Sequence, residues 1–205
     1  MEALVIDNYE SPNSSWFHKL KSALKRLGNQ YEVRRFDDEF LFSRVDQFDA
    51  IVLSGSETLL SEEVMVKRYQ SLIELVQTVP TAILGICFGH QIIGIAFGSR
   101  VVHQGMLMEG YRPVKIVESE ESPNKRDPLF YSLPDTIQVM QAHYEVIESL
   151  PKDFKLLAYS NDTAIEAMVH KHHIIYGIQF HAECYTSEKQ DGKKILQNFF
   201  NILKK

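Results

Sequence analysis

The stretch TAILGICFGHQIIGIAFG, residues 81 to 98, reads as three joined pieces. TAILGI (81–86) is an apolar run of strand type. GHQIIGIAFG (89–98) is a helix with Gly98 at its C-terminal stop. Between them lies G-x-C-x-G, with Cys87 flanked by Gly85 and Gly89. A strand that turns through a glycine-flanked cysteine into a helix is the thiol version of a nucleophile elbow. The turn needs small neighbours, which the glycines supply, and the helix start aims free N–H groups and a positive dipole end at the sulfur. Such an environment favours the thiolate and supplies donors to an oxyanion. Free cysteine is also among the most buried residue types, so on local evidence a structural cysteine in a tight turn stays open.

The flanking sequence repeats the strand–helix alternation. ALVID (3–7) reads as a first strand, and a helix capped by Asn13 or Ser14 runs to about Leu27, with Gly28 closing it. YEVRRF (31–36) and AIVLSG (50–55) are the next strands, and a helix begins at Ser61, with Glu62 and Glu63 in its first turn, and runs to about Thr78. Apolar strands alternating with helices mean a parallel sheet covered on both faces. The second half reads differently: YRPVKIVES, TIQVMQA, FKLLAYS, AIEAMVH and HIIYGIQF are strands with few helices between them, and the segment from Ser187 closes the chain as a helix docked through Ile195, Phe199, Phe200 and Leu203. Residues 118–129 read as a surface loop. The expected fold is α/β, a three-layer flavodoxin-like sandwich with a mostly parallel central sheet and a smaller antiparallel addition, in a single domain over residues 1–205.

Composition narrows the function. The chain has 205 residues, 44% hydrophobic and 24% charged, which suits one α/β domain with a sizeable core. Its net charge of −5, from 22 basic and 27 acidic residues, argues against nonspecific nucleic-acid binding. No run of 18 apolar residues suggests a membrane span, and the N-terminus lacks the pattern of a signal peptide. Two cysteines, Cys87 and Cys184, do not form a disulfide framework and read as reduced thiols of a cytoplasmic protein.

A cysteine nucleophile needs a base. Of the eight histidines, His18 falls on an amphipathic helix and His103 just after the elbow helix, while His170, His172 and His173 cluster in VHKHHII, a hairpin turn without the interleaved Cys or carboxylate of a metal site. His181 differs. It ends the strand-type run IIYGIQF and opens HAE. Along a strand, residues i and i+2 point the same way, so Glu183 can hold one ring nitrogen and leave the other for the nucleophile. Cys87, His181 and Glu183 thus take the roles of nucleophile, base and orienter, at C-terminal strand ends where sites of open parallel sheets gather. Gly55, in LSGS (53–56), offers a backbone N–H that could pair with that of Phe88 as an oxyanion hole; as a simple turn glycine it is explained equally well.

GICFGHQ with QFHAE downstream resembles the class I, triad-type glutamine amidotransferases. The resemblance covers essentially the whole chain and, through DPLFYSLPDTIQVMQAHYEVIESLPKDFKLLAYSNDTAIEAM, is greatest to members serving GMP synthesis in the purine pathway. It implies that Cys87 attacks the glutamine side-chain amide, that His181, oriented by Glu183, moves the protons of a γ-glutamyl thioester cycle, and that the N–H groups of Gly55 and Phe88 hold the oxyanion. It implies that Gln91 contacts bound glutamine, with His143 peripheral to it, and it implies no metal or organic cofactor. The ammonia would pass to an ATP-dependent synthetase on another chain, since no phosphate-binding loop appears here. The sequence departs from the family at SGSET, where a glycine-proline pair is common, at Ala182, where proline is common, and at AHYE. Two other readings stand beside it: a stand-alone hydrolase of γ-glutamyl compounds, and a redox-sensing module built on Cys87.

Overall fold

The computed structural model describes residues 1–11, 13–118 and 126–204. Most of the expected 118–129 loop lies outside them. The nine strands are β1 (Glu2–Asp7), β2 (Gln30–Arg35), β3 (Ala50–Leu53), β4 (Ala82–Ile86), β5 (Val101–Ile116), β6 (Thr136–Ile147), β7 (Phe154–Tyr159), β8 (Ala167–His170) and β9 (Ile175–Ile178). They form one sheet in the order β2-β1-β3-β4-β9-β8-β7-β5-β6. Pairing is parallel from β2 through β9. It is antiparallel from β9 through β6. The fold is therefore α/β with a mixed sheet, parallel in one part and antiparallel in the other.

The apolar side chains divide between the two faces. Helices α1 (Ser15–Arg26) and α5 (Asp191–Ile202) place Phe17, Leu20, Leu24, Ile195 and Phe199 in one core. Helices α2 (Glu63–Arg68), α3 (Gln70–Thr78) and α4 (Phe88–Ala96) cover the opposite face, where Leu72, Leu75, Ile92 and Ile93 build a second core. Because the strands of the parallel part are buried on both faces, they read as continuous apolar runs instead of alternating ones.

Four boundaries differ from the sequence reading. The helix expected from Ser61 to Thr78 is two, broken at Tyr69. Tyr69 is fully buried, its ring stacks on Phe36 at 4.2 Å, and its hydroxyl donates to Asn8 O at 3.1 Å. α2 by contrast buries none of its residues, so packing holds the chain at Tyr69 and not before it. The strand expected from Tyr111 starts at Val101, because it pairs with β6 on both sides of an irregularity between His103 and Met108. β6 in turn continues to Ile147. The last helix begins at Asp191, whose carboxylate accepts from Gln138 N at 2.7 Å. Next to it, a Cβ on Gly192 would collide with the Ala182 carbonyl, so the missing side chain lets α5 press against the turn that follows β9. Ser14 does precede α1, but its side chain makes no capping bond.

Candidate active site

The elbow is strained, and its surroundings leave it no alternative. Cys87 has φ 51° and ψ −103°, in a region L residues rarely occupy. Its N–H donates to Ile178 O at 2.8 Å, and its carbonyl accepts from Gln91 N at 3.1 Å, tying the turn to β9 and to α4. A Cβ on Gly85 would come within 2.5 Å of the Gly89 backbone, and one on Gly89 within 2.6 Å of Leu53 O. The glycines thus let α4 start directly against β4 and β3. His90, in the same motif, faces away from the site: its ring lies against Gly177, and burial pushes it down to about 3.

His181 follows β9 and is held by its own N–H, which donates to Met140 O at 2.8 Å. Its ring packs against Trp16 at 4.6 Å, and Nδ1 lies 2.6 Å from Glu183 Oε1. The expected strand geometry is not how this pair forms: Ala182–Cys184 is a turn of 3-10 helix with His181 at its start. The tight turn brings the two side chains together where an extended chain was expected to. Burial disfavours a charged His181, yet the charges of Glu183 and Cys87, and hydrogen bonds to both, outweigh it and raise the ring to about 10. Nucleophile, imidazole and carboxylate are therefore one connected, buried unit.

A cavity of about 240 Å³ opens over this unit, lined by Cys87, His181, Gln91, His143, Tyr9 and Glu57 among others. Gly55 lies at its edge: a Cβ there would meet Tyr9 Oη at 2.7 Å and His181 Cε1 at 3.0 Å, so the loop after β3 touches the imidazole. Phe88 opens α4, where N–H groups lack intrahelical partners. The SGSET loop has its own bracing. Asn8 N donates to Ser54 Oγ at 2.9 Å and Asn8 Nδ2 to Ser54 O at 2.8 Å. Further along, Leu60 N and Ser61 N donate to the buried carboxylate of Glu145, at 2.6 and 3.2 Å. Hydroxyl, amide and carboxylate bonds thus do here what a rigid glycine-proline pair would do through backbone restriction.

The structure brings together every residue singled out for the site and adds several others. Gln91 Nε2 donates to Glu145 O at 2.8 Å and lies 3.4 Å from Gln179 Oε1, and Gln179 Nε2 lies 3.7 Å from Cys87 Sγ. Gln179 was legible as the one polar residue in IIYGIQF. The inward face of β6 carried a similar signal: Ile137 and Val139 give way to Gln141, His143 and Glu145 before Ile147, all of them buried. Tyr9 and Trp16 had no such signal, since each lies in a segment with another explanation. Burial, with the charges of Glu183 and Cys87, pushes the Tyr9 phenol well up, so it stands at the cavity as a hydrogen-bond donor.

The remaining histidines take structural places. His170 is buried rather than solvated, and its Nδ1 accepts from the N–H groups of His172 and His173, both at 3.1 Å, which occupies the nitrogen a metal would need. His181, Glu183 and Cys184 gather ligand-type atoms within 4.8 Å of one another, but the first two already bind each other. Cys87 and Cys184 are both unpaired. Among the described residues no helix is long and apolar enough to cross a membrane.

Comparison with known proteins places this geometry in a family. Residues 4–203 match the family described as "Glutamine amidotransferase class-I". The chain is 31% identical over 205 residues to the glutamine-hydrolysing GMP synthase subunit of Archaeoglobus fulgidus, covering 100% of both chains. It is also 31% identical over 207 residues to the bifunctional protein TrpGD of Thermotoga maritima, covering 97% of this chain and 32% of that one. Among solved structures, a GMP synthase subunit of Thermoplasma acidophilum superimposes with a TM-score of 0.83 at 30% identity, covering 100% of this chain and 94% of that one. The chain belongs to the class-I glutamine amidotransferases, enzymes that hydrolyse glutamine.

Proposed function

We propose that this enzyme hydrolyses glutamine through Cys87, His181 and Glu183 and delivers the ammonia to a separate synthetase chain, as the glutaminase component of a GMP synthase. The observation that carries the reading is the strained Cys87 turn bonded to a His181–Glu183 pair at the floor of one cavity. The Cys87 sulfur attacks the side-chain carbonyl carbon of glutamine. The carbonyl oxygen takes up negative charge and is met by the N–H groups of Gly55 and Phe88. His181 gives its proton to the amide nitrogen, the C–N bond breaks, and ammonia leaves behind a γ-glutamyl thioester. His181, now neutral, takes a proton from water as the water adds to the thioester. Collapse of that adduct releases glutamate, and the imidazolium–thiolate pair is restored. Gln91 and His143 form walls against which the substrate lies, and no step calls for a metal or organic cofactor.

Full-length likeness to proteins named as glutamine-hydrolysing GMP synthase subunits supports the pathway and an ATP-dependent partner. Two unpaired buried thiols suit the reducing cytoplasm. Intact-mass analysis after treatment with a glutamine-analogue electrophile tests the core of the reading. One adduct, absent in Cys87→Ala and blocked by glutamine, is expected. An adduct elsewhere, or none with the partner synthetase present, would overturn it. Turnover of γ-glutamyl peptides in preference to glutamine would favour the stand-alone hydrolase instead.

A further inference from the structure

Glu166 is a buried carboxylate that the hydrolytic cycle does not use. It stands just before β8, 1% exposed, with its N–H donating to Ala158 O at 2.9 Å and its carbonyl accepting from Gln179 N at 2.8 Å. What meets the carboxylate is an amide and a hydroxyl, those of Gln141 and Ser160, while the charge of Asp162 acts on it with the same sign. Burial pushes it up to about 7, against the pull of those two hydrogen bonds. A buried carboxylate without a cation is costly to maintain, and such groups concentrate at functional sites.

Its bonds lead to the cavity. Gln141 Nε2 lies 2.9 Å from both Glu166 oxygens. An ionised carboxylate only accepts, so the Gln141 amide must turn its NH2 toward Glu166 and its oxygen the other way. That oxygen lies 3.1 Å from His143 Nε2. It too only accepts, so Nε2 must carry the ring proton. Burial and the charge of His181 hold His143 down to about 4, against a smaller pull from the Glu145 backbone, so the ring is neutral and its other nitrogen is unprotonated. That nitrogen, Nδ1, is buried without a well-aligned hydrogen bond, in a side chain that lines the cavity beside Cys87.

We propose that Glu166 is a positioning residue for the active site: acting through Gln141, it fixes the ring orientation and tautomer of His143, so that His143 offers a lone pair to an N–H donor of the substrate. The donor it suits is the α-ammonium of glutamine, which the carboxylates of Glu57 and Glu109, also on the cavity lining, attract as well. This role in binding rests on the glutaminase reading above. The tautomer does not.

Long-range ¹H–¹⁵N correlation spectra of histidine-labelled protein at pH 8, with His143 assigned by its loss in His143→Gln, read the tautomer directly. The wild type should carry the proton on Nε2. In Glu166→Gln, where the new amide can face Gln141 either way, and in Gln141→Leu, which cuts the chain at its middle, a population protonated on Nδ1 should appear. The concentration of glutamine-analogue electrophile that half-saturates Cys87 alkylation should rise about tenfold in both, the equivalent of one lost hydrogen bond. The limiting alkylation rate should stay within about twofold, since only binding is altered. A wild-type His143 protonated on Nδ1 would overturn the proposal even if neither variant folds. So would a tautomer unmoved in the variants, or one that moves while half-saturation does not. Failure of the glutaminase reading would appear separately, as alkylation that glutamine does not block.

Discussion

Nδ1 of His181 sits 2.6 Å from Oε1 of Glu183, two residues further along the chain, and a single 3-10 turn makes the contact. Both side chains are buried, so water cannot substitute for either. Glu183→Gln keeps the shape but replaces the charge and allows the wrong tautomer. We expect kcat to fall about a hundredfold or more with the fold retained, as circular dichroism and steady-state kinetics would register. Retention of more than half the wild-type rate would contradict an orienting role.

The raised His181 ring sets a pH window. In the unfolded chain it titrates near the ordinary value of about 6.5, and in the folded protein near 10. A raised folded pKa means that the stabilisation is fully present below the unfolded value and is lost as pH climbs toward the folded one. Thermal melts should therefore show stability falling between about pH 6.5 and 10, more steeply in wild type than in His181→Asn. Equal slopes would mean that the imidazolium is not the form held in the resting site.

Gly55→Ala tests the approach of the oxyanion loop to the triad. The added methyl would meet Tyr9 Oη at 2.7 Å and His181 Cε1 at 3.0 Å. We expect a loss of about 1–3 kcal/mol in stability from overpacking and a drop in kcat of about a hundredfold from the displaced loop and imidazole. Because the shorter contact is with a hydroxyl, Tyr9→Phe should restore part of the stability in the double variant. Additive losses in a denaturant-melt cycle would show that the hydroxyl is not the obstacle.

Glu145 latches the loop that carries Ser56, Glu57 and Thr58 along the cavity. Glu145→Ala leaves Leu60 N and Ser61 N without their acceptor, at a cost of about 1–3 kcal/mol. Amide exchange at Leu60 and Ser61 should speed up markedly, while exchange in β1 and β3 changes far less. Unchanged exchange at these two amides would rule out the latch.

The α/β architecture was readable because burial on both faces leaves continuous apolar runs, as in AIVL of β3, and because Gly28 and Gly98 punctuate helices at positive φ of 77° and 87°. The elbow was readable because only glycine tolerates the closeness of Gly85 to Gly89 and of Gly89 to Leu53. The break at Tyr69 was not, since the residues around it are ordinary helix formers and the break comes from a ring that packs on Phe36 and Phe88. The buried carboxylates Glu145 and Glu166 were equally hidden. Each lies in a strand-like segment whose other residues explain it, and the partners, Leu60 and Gln141, are distant in sequence.

By itself the sequence determined which groups could do chemistry and the local turns that carry them, because those depend on residue type and on contacts within a few positions. Cys87 between its glycines and His181 two residues before Glu183 are properties of short segments. Only the tertiary structure decided how the segments meet: that Ile178 O receives the Cys87 N–H, that Met140 O holds His181, and that Glu166 reaches the cavity through Gln141 and His143. Those bonds join positions from two to 92 residues apart, and it is the order of strands β4, β9 and β8 that brings the distant ones within hydrogen-bond range.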